Sequence, residues 1–271
     1  MPVGIIIFLL VLVFFFAVYL VLISPRRSKM LAPFAAVRYA HRGLHNETRA
    51  ENSMSAFRAA VEAGYGIELD VRLSSDGFLV VFHDDTLERV VGRDGRVDAF
   101  TYEELSEMSL SGTADGIPLF TEVLELVGGR VPLLVEIKED AGNYAVSTEC
   151  ARILSEYEGP YIVESFNPLS LRNFRKRLPD IPVGILSQQY TKEKKYRKPL
   201  FFVLQLMLIN RIAGVSFIAF NHEHHRSVSL FLARRLLDAK TFAWTIRSKE
   251  EERLAKKHGF TTVIFENYLP E

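Results

Sequence analysis

Beyond residue 36 the chain alternates short apolar runs with longer amphipathic ones. Eight of the short runs read as strands: VRYA (37–40), IELDV (67–71), LLVEI (133–137), YIVES (161–165), VGIL (183–186), VSFIAF (215–220), TFAWT (241–245) and TVIF (262–265). They are rich in β-branched and aromatic residues and bounded by polar turns, the pattern of strands buried on both faces. Helical stretches lie between them. SMSAFRAAVEAG, for example, opens on a serine cap, carries an alanine-rich body and stops at glycine. Strand–helix alternation sustained to this length predicts an α/β fold, a (β/α)8 TIM barrel with a parallel sheet.

One run breaks the alternation. FLVVFH (78–83) follows IELDVRL after only Ser74, Ser75, Asp76 and Gly77. A parallel neighbour needs a crossover of about a dozen residues, so this Asp-Gly turn predicts an antiparallel hairpin. The returning arm brings His83 back toward the barrel, and residues 84–118, with turns at GRDG and SGTADG, become a small insertion after strand 2. LFTEVLELV then restores a helix. The expected domains are a transmembrane anchor (1–24), a juxtamembrane linker (25–36) and a barrel (37–271) that contains the inserted subdomain (84–118).

The anchor expectation rests on VGIIIFLLVLVFFFAVYLVLI, 21 residues without a charge. As a helix they extend about 30 Å, enough to cross a bilayer. The segment lacks the basic start and small-x-small cleavage site of a signal peptide and exits through Ser24-Pro25-Arg26-Arg27, so it reads as an uncleaved single-pass N-terminal anchor. Arg26, Arg27, Lys29 and Arg38 follow it, and the positive-inside rule therefore predicts a cytoplasmic catalytic domain.

Charge narrows the partners. Lysine plus arginine equals aspartate plus glutamate at 33 each, so no global field draws this chain to nucleic acid, and any electrostatic recognition is local. Cys150 is the single cysteine, which excludes an internal disulfide framework or a cysteine-rich metal site and leaves a packed helix residue.

Side chains two apart on a strand share a face, so Glu68 and Asp70 point the same way, as do Glu136 and Lys138 in VEIK. His41, Arg42, Glu68, Asp70, Glu136, Lys138 and Trp244 all fall at or near the carboxyl ends of predicted strands, where barrel enzymes build their sites. Clustered carboxylates repel one another, whereas a hard divalent cation, Mg2+ or Ca2+, turns Glu68, Asp70 and Glu136 into an oxygen-ligand site. His41 and His83 flank that cluster with groups able to give and take a proton. Arg42 and Lys138 offer a fork and a point charge suited to phosphate. Asn221, at a strand end, is expected to line the same pocket.

Together these residues carry a resemblance. AHRG (40–43), ENS (51–53), IELDVRLSSDG with VVFHD, IP (117–118), VEIK (135–138), SF (165–166) and AWT (243–245) occur in order across residues 37–268 and are similar to the motif series of the glycerophosphodiester phosphodiesterase family. The resemblance implies a barrel with a subdomain inserted after its second strand. It also implies metal-dependent hydrolysis of glycerophosphodiesters to glycerol 3-phosphate and an alcohol. His41 and His83 would be the acid/base pair, Glu68, Asp70 and Glu136 the metal ligands, and Arg42 and Lys138 the phosphate-binding residues. Water and the substrate's own glycerol 2-hydroxyl both stand as nucleophiles. The chain departs from the family pattern at Ala50, where proline is usual, at Arg247, where asparagine often stands, and at the FEN (265–267) that ends the last strand. These departures bear on which alcohol or headgroup the pocket accepts.

Two stretches remain. KEKKYRKPLFFVLQLMLIN (192–210) places a basic run before an apolar segment too short to span a bilayer. It reads equally as an interfacial segment beside the anchor or as a barrel helix. NHEHHR (221–226) offers His222, His224 and His225 without helix-spaced ligand geometry and reads as a solvated loop. Two alternatives stand beside a glycerophosphodiesterase acting at the membrane surface: a lysophospholipase D-like enzyme releasing headgroups from lysophospholipid, and a catalytically weak membrane scaffold or lipid-binding module.

Overall fold

A computed structural model of the chain describes residues 3–140, 142–192 and 198–270. Its elements follow the alternation of the sequence. Helix α1 (Val3–Ile23) precedes β1 (Tyr39–Ala40), α2 (Met54–Glu62), β2 (Gly66–Leu73) and β3 (Leu79–Val81). The insertion carries α3 (Glu88–Val91) and α4 (Tyr102–Ser106), and α5 (Phe120–Val127) returns the chain to the barrel. Then come β4 (Leu133–Ile137), α6 (Ala145–Leu154), β5 (Tyr161–Ser165), α7 (Pro168–Arg177), β6 (Val183–Ser187), α8 (Pro199–Gln205), α9 (Asn210–Ala213), β7 (Phe217–Asn221), α10 (Val228–Leu237), β8 (Lys240–Ile246), α11 (Lys249–Lys257) and β9 (Thr262–Phe265).

Eight strands, β1, β2 and β4 to β9, pair in parallel and close where β1 meets both β2 and β9. The barrel expected from the sequence is therefore present, with strand ends moved by a residue or two; β1 is the shortest, at two residues. β3 pairs antiparallel with β2, Val81 opposite Val71, which is the hairpin the Asp-Gly turn requires. The insertion packs Leu87, Val90, Val97, Leu105 and Ile117 into a small core with Val80 and Phe82 of the hairpin arm and Ala50. Cys150 is buried in α6 among apolar neighbours.

Inside the barrel the pleat sorts residues into layers. Toward the amino ends lie Tyr39, Leu134, Ile162, Phe217, Phe242 and Ile264. The Phe217 and Phe242 rings stack at 4.5 Å between centroids, and any side chain at Gly184 would collide with Phe217, so glycine there makes room for the ring. Residues 29–34 form a 3-10 turn whose Leu31 and Phe34 pack beneath this layer and plug the barrel floor. Arg26 donates its backbone N–H to Val215 O at 2.6 Å, so the segment between α1 and β1 lies against the barrel.

Helix α1 is joined to the barrel at its carboxyl end. Ile23 is fully buried in the main core, and Asn210 donates its side-chain amide to Ile23 O at 3.3 Å. One turn earlier, the Tyr19 hydroxyl bonds Ser229 Oγ at 2.9 Å. Ser229 begins α10, beside the carboxyl ends of the strands, whereas Val215 precedes the amino end of β7. Between Tyr19 and Arg26 the chain thus descends the barrel wall. Residues 3–18 are exposed.

Candidate active site

The barrel register explains how the acids meet. Asp70 of β2 pairs with Glu136 of β4, and Glu136 with Glu164 of β5, while Glu68 lies one pleat below Asp70. All four are buried. One oxygen each of Glu68, Asp70 and Glu136 lies within 4.8 Å of the others, close enough to ligate one ion. Lys138, next along the same face of the chain after Glu136, brings its ammonium to 2.7 Å from Glu136 Oε1 and 3.1 Å from Asp70 Oδ1. These are ion pairs without hydrogen-bond geometry, and both oxygens lack a hydrogen-bond donor among the described residues.

Arg42 holds the opposite wall. It sits in left-handed backbone geometry at φ 55°, unusual for a residue other than glycine, and the bend aims its N–H at Glu68 Oε2, 2.8 Å away. Its guanidinium pairs with Glu51 at 2.7 Å and approaches Asp70 Oδ2 at 3.5 Å. Asn52 donates to Asp70 Oδ2 at 2.8 Å.

Each histidine is steered through one ring nitrogen. His41 Nδ1 contacts Glu266 Oε2 at 2.5 Å, and His83 Nδ1 contacts Asp84 Oδ1 at 2.5 Å. A carboxylate on Nδ1 makes that nitrogen the protonated one and leaves Nε2 as the basic site. Arg89, from the insertion, pairs with both Asp84 and Glu51 and so ties the His83 arm to the Arg42 wall.

Burial sets the electrostatics. It pushes Glu68 well above the usual carboxylate range, helped by Asp70 and Glu136. Glu164 is raised for the same reason, with Glu136 adding to it. Burial also raises Glu136 to about 7 against the pull of Lys138. Asp70 is the exception: burial works to raise it, but Lys138, His83 and Arg42 together hold it well below the ordinary value. Burial lowers both histidines, His83 to about 4, and keeps them neutral near pH 7. An acidic cluster in which burial raises Glu68, Glu136 and Glu164, and in which one oxygen each of Glu68, Asp70 and Glu136 lies within 4.8 Å of the others, has the donor set of a hard divalent-cation site.

A cavity of about 280 Å³ joins these groups, lined among others by His41, Arg42, Glu68, His83, Glu136, Lys138 and Trp244. Trp244 meets Phe166 edge-on, and its indole N–H is buried without a partner among the described residues. Asn221 is not part of this lining. Its side-chain oxygen caps the following turn by accepting from Glu223 N–H, and its amide reaches Gln188, which does line the cavity, at 3.5 Å. His224 accepts from the Gln189 N–H and His225 stacks on His258, so these histidines do not gather around an acid cluster among the described residues. Most of the basic run before α8, residues 193–197, lies outside the described residues.

Three acids at the site were not singled out from the sequence. Glu164 holds the same place in YIVES that Glu136 holds in LLVEI, and that alignment was the available signal. Glu51, in ENS, stands 9 positions after its partner Arg42, whereas Glu266, in FEN, meets a His41 that lies 225 positions away.

Residues 41–268 match the Glycerophosphoryl diester phosphodiesterase family. A glycerophosphodiester phosphodiesterase of Caldanaerobacter subterraneus subsp. tengcongensis is 38% identical over 160 residues, covering 55% of this chain and 65% of that protein. One from Bacillus altitudinis is 38% identical over 161 residues with the same coverage. The chain thus spans about two thirds of the length of these curated relatives, at 65%. A phosphodiesterase of Oleispira antarctica, solved in complex with the product sn-glycerol-3-phosphate, superposes with a TM-score of 0.71 at 23% identity over 88% of this chain and 95% of that one, a likeness of fold. A glycerophosphodiester phosphodiesterase of Thermotoga maritima superposes with a TM-score of 0.65 at 27% identity, covering 84% and 94%. The matched span takes in every barrel strand after β1, the acidic cluster and both histidines, and this chain belongs to the glycerophosphoryl diester phosphodiesterase family.

Proposed function

We propose that this protein hydrolyses glycerophosphodiesters to glycerol 3-phosphate and an alcohol, with a divalent cation, at a membrane surface. The observation that carries the reading is the convergence of Glu68, Asp70 and Glu136 beside Arg42 and Lys138 in a cavity bounded by two oriented histidines. Glu68, Asp70 and Glu136 would hold the cation, Mg2+ or Ca2+, which when bound supplies charge neutralisation at the phosphate oxygens. Arg42 and Lys138 bind and orient the phosphodiester. One histidine takes a proton from the nucleophile at Nε2, and the other delivers one to the leaving oxygen. Glu266 and Asp84 keep the two rings turned for those transfers.

The test is hydrolysis of glycerophosphocholine by the full chain with magnesium, with calcium and with a chelator. Release of glycerol 3-phosphate with either metal and none in chelator is the expected result. His41→Ala and His83→Ala should each lower kcat by roughly 10²–10⁴-fold. Near-wild-type turnover in both variants at saturating metal would remove the acid/base assignment, and no release with any metal would favour a scaffold.

The membrane part of the reading is supported by α1, one helix long and apolar enough to cross a bilayer. Burial of Ile23 and the contacts of Tyr19 and Arg26 make its carboxyl end part of the fold, which suits a retained anchor better than a removed leader. The protein should stay with membranes through high-salt and carbonate washing. A reporter fused to the carboxyl terminus should be active in the cytoplasm, and one active only outside would reverse the orientation. A second reading, action on lysophospholipid, is favoured by a groove of about 520 Å³ that shares Glu136, Lys138 and Phe166 with the catalytic cavity and carries Leu169, Leu200, Phe201, Leu204 and Ile209 along part of its wall, beside Arg72, Asp85, Glu139 and Asp140.

A further inference from the structure

A second group of possible ligands stands beside the acidic cluster and shares no residue with it. His41, His45 and Glu266 each bring one ligand atom within 4.8 Å of the others. His41 Nδ1 lies 2.5 Å from Glu266 Oε2, and His45 Nε2 lies 3.8 Å from the same oxygen, too far for a hydrogen bond. His45 Nε2 is buried and has no hydrogen-bond partner among the described residues. A ring nitrogen buried beside a carboxylate yet bonded to nothing needs an explanation, and a shared ion supplies one.

All three side chains stand on anchored backbone. His41 donates its backbone N–H to Phe265 O at 2.8 Å, which ties it to the end of β9, and Glu266 is the next residue. The other carboxylate oxygen, Glu266 Oε1, accepts from Arg247 Nε at 2.8 Å and leaves Oε2 to the two imidazoles. Arg247 and the FEN segment are two of the places where the chain departs from the family's motif series, and they meet here. His45 sits in a loop fastened to α2: Leu44 donates its N–H to Ala56 O at 3.0 Å, and a Cβ at Gly43 would come within 3.0 Å of Ala56 and Phe57. The side chains of His41, His45 and Glu266 keep 15%, 18% and 12% of their surface exposed, enough for an ion to reach them from solvent.

The donor set selects the ion. Two imidazole nitrogens and one carboxylate oxygen suit Zn2+, whereas the three carboxylates of the neighbouring cluster suit Mg2+ or Ca2+. Ligand atoms about 2.0–2.1 Å from a tetrahedral zinc lie about 3.3 Å apart, so the His41–Glu266 pair opens by somewhat under ~1 Å and the His45–Glu266 pair closes by about half as much.

We propose that His41, His45 and Glu266 form an inhibitory site for a borderline transition-metal ion, Zn2+, next to the catalytic cation. The inference rests on the reading of His41 as one of the acid/base pair and deepens it by naming how that residue is switched off. Without zinc, His41 carries its proton on Nδ1, against Glu266, and keeps Nε2 free. Zn2+ bonds to Nδ1 and displaces that proton, which settles on Nε2. The ring stays neutral, no proton is lost from it, and the nitrogen that faced the substrate has no lone pair left to accept another. Because the two ions use different ligands, excess Mg2+ does not remove the zinc.

The experiment uses the full chain, wild type and His45→Gln, at saturating Mg2+. Glycerophosphocholine hydrolysis is followed as buffered free Zn2+ is raised, and Zn2+ binding is measured separately by competition with a chromophoric chelator in the same excess of Mg2+. Wild type should bind a single Zn2+ and lose turnover along the same curve, at a zinc concentration that further Mg2+ leaves in place. His45→Gln should keep zinc-free hydrolysis within about twofold, bind that ion roughly tenfold or more less tightly, and need correspondingly more zinc for half-inhibition. Retained hydrolysis and an unchanged melting temperature without zinc report that the variant folds. Half-inhibition that rises in proportion to Mg2+ would put the zinc among Glu68, Asp70 and Glu136 and overturn the site, as would equal zinc binding by wild type and variant. Zinc binding that depends on His45 but leaves turnover undiminished would overturn the inhibition. His45-dependent binding in a protein that hydrolyses glycerophosphocholine with no metal would keep the zinc site while sinking the glycerophosphodiesterase reading and, with it, the inhibitory role.

Discussion

On β4 the barrel interior changes character between Leu134 and Glu136, and on β5 between Ile162 and Glu164, a single pleat in each case. Below that line lie the rings of Tyr39, Phe217 and Phe242 over the plug of Leu31 and Phe34. Above it lie buried acids whose mutual repulsion Lys138 and Arg42 partly offset. The lower half stabilises the strands and fixes their register by apolar burial and close packing. The upper half, left without a cation, works against folding, because like charges out of water either repel or take up protons. The acids stand on a platform built two residues away along the same strands.

The largest effect should come from breaking the platform. Phe217→Ala leaves a void between Phe242 and the space kept open at Gly184 and should cost about 3–5 kcal/mol, read by denaturant unfolding. A loss below about 1 kcal/mol would mean that the aromatic stack is not what holds the floor.

Glu136→Gln reverses the sign. Its carboxyl is raised by burial to about 7 in the folded chain, above the unfolded value, so the folded state binds the extra proton and the group destabilises as pH rises from about 4.5 through 7. In chelator at pH 8 the variant should be more stable than wild type by on the order of 2 kcal/mol, and the two should converge near pH 4.5. Adding Mg2+ or Ca2+ should raise the wild-type melting temperature and move the variant less. A variant less stable than wild type at pH 8 without metal would contradict the picture of an uncompensated cluster.

Glu51→Gln tests the rim and should do least, about 1 kcal/mol. Burial would raise Glu51, but Arg89 and Arg42 hold it down at about 2. Its contribution is therefore full above about 4.5, the unfolded value, and fades as pH falls toward 2. The melting difference between variant and wild type should shrink over that window. A difference that persists at pH 2 would assign the effect to packing.

The strands and the hairpin were legible because period, length and the Asp-Gly turn all pointed one way. The acids of β2 and β4 were legible because spacing by two fixes a shared face. Glu164 required the neighbouring register as well as its own strand. Glu266 was invisible for another reason: nothing local in FEN announces a histidine 225 positions away. Asn221 was read as a lining residue from its place at a strand end, but a short polar side chain there also caps a turn, and that is what it does in this structure. The floor plug was equally hidden. Leu31 and Phe34 stand in a segment whose Ser, Pro, Arg and Lys composition reads as linker, and only barrel geometry shows the hole they fill.

The closure of β9 on β1 has a consequence for the order of events during synthesis. The acid-bearing strands β2, β4 and β5 precede β9 in the chain, and the carboxylate that steers His41 follows it. A chain made only as far as β8 would carry the acidic cluster and the Asp84-steered His83 and still lack the carboxylate that aligns His41. The orientation of His41 therefore arrives with the sealing of the barrel and not before it.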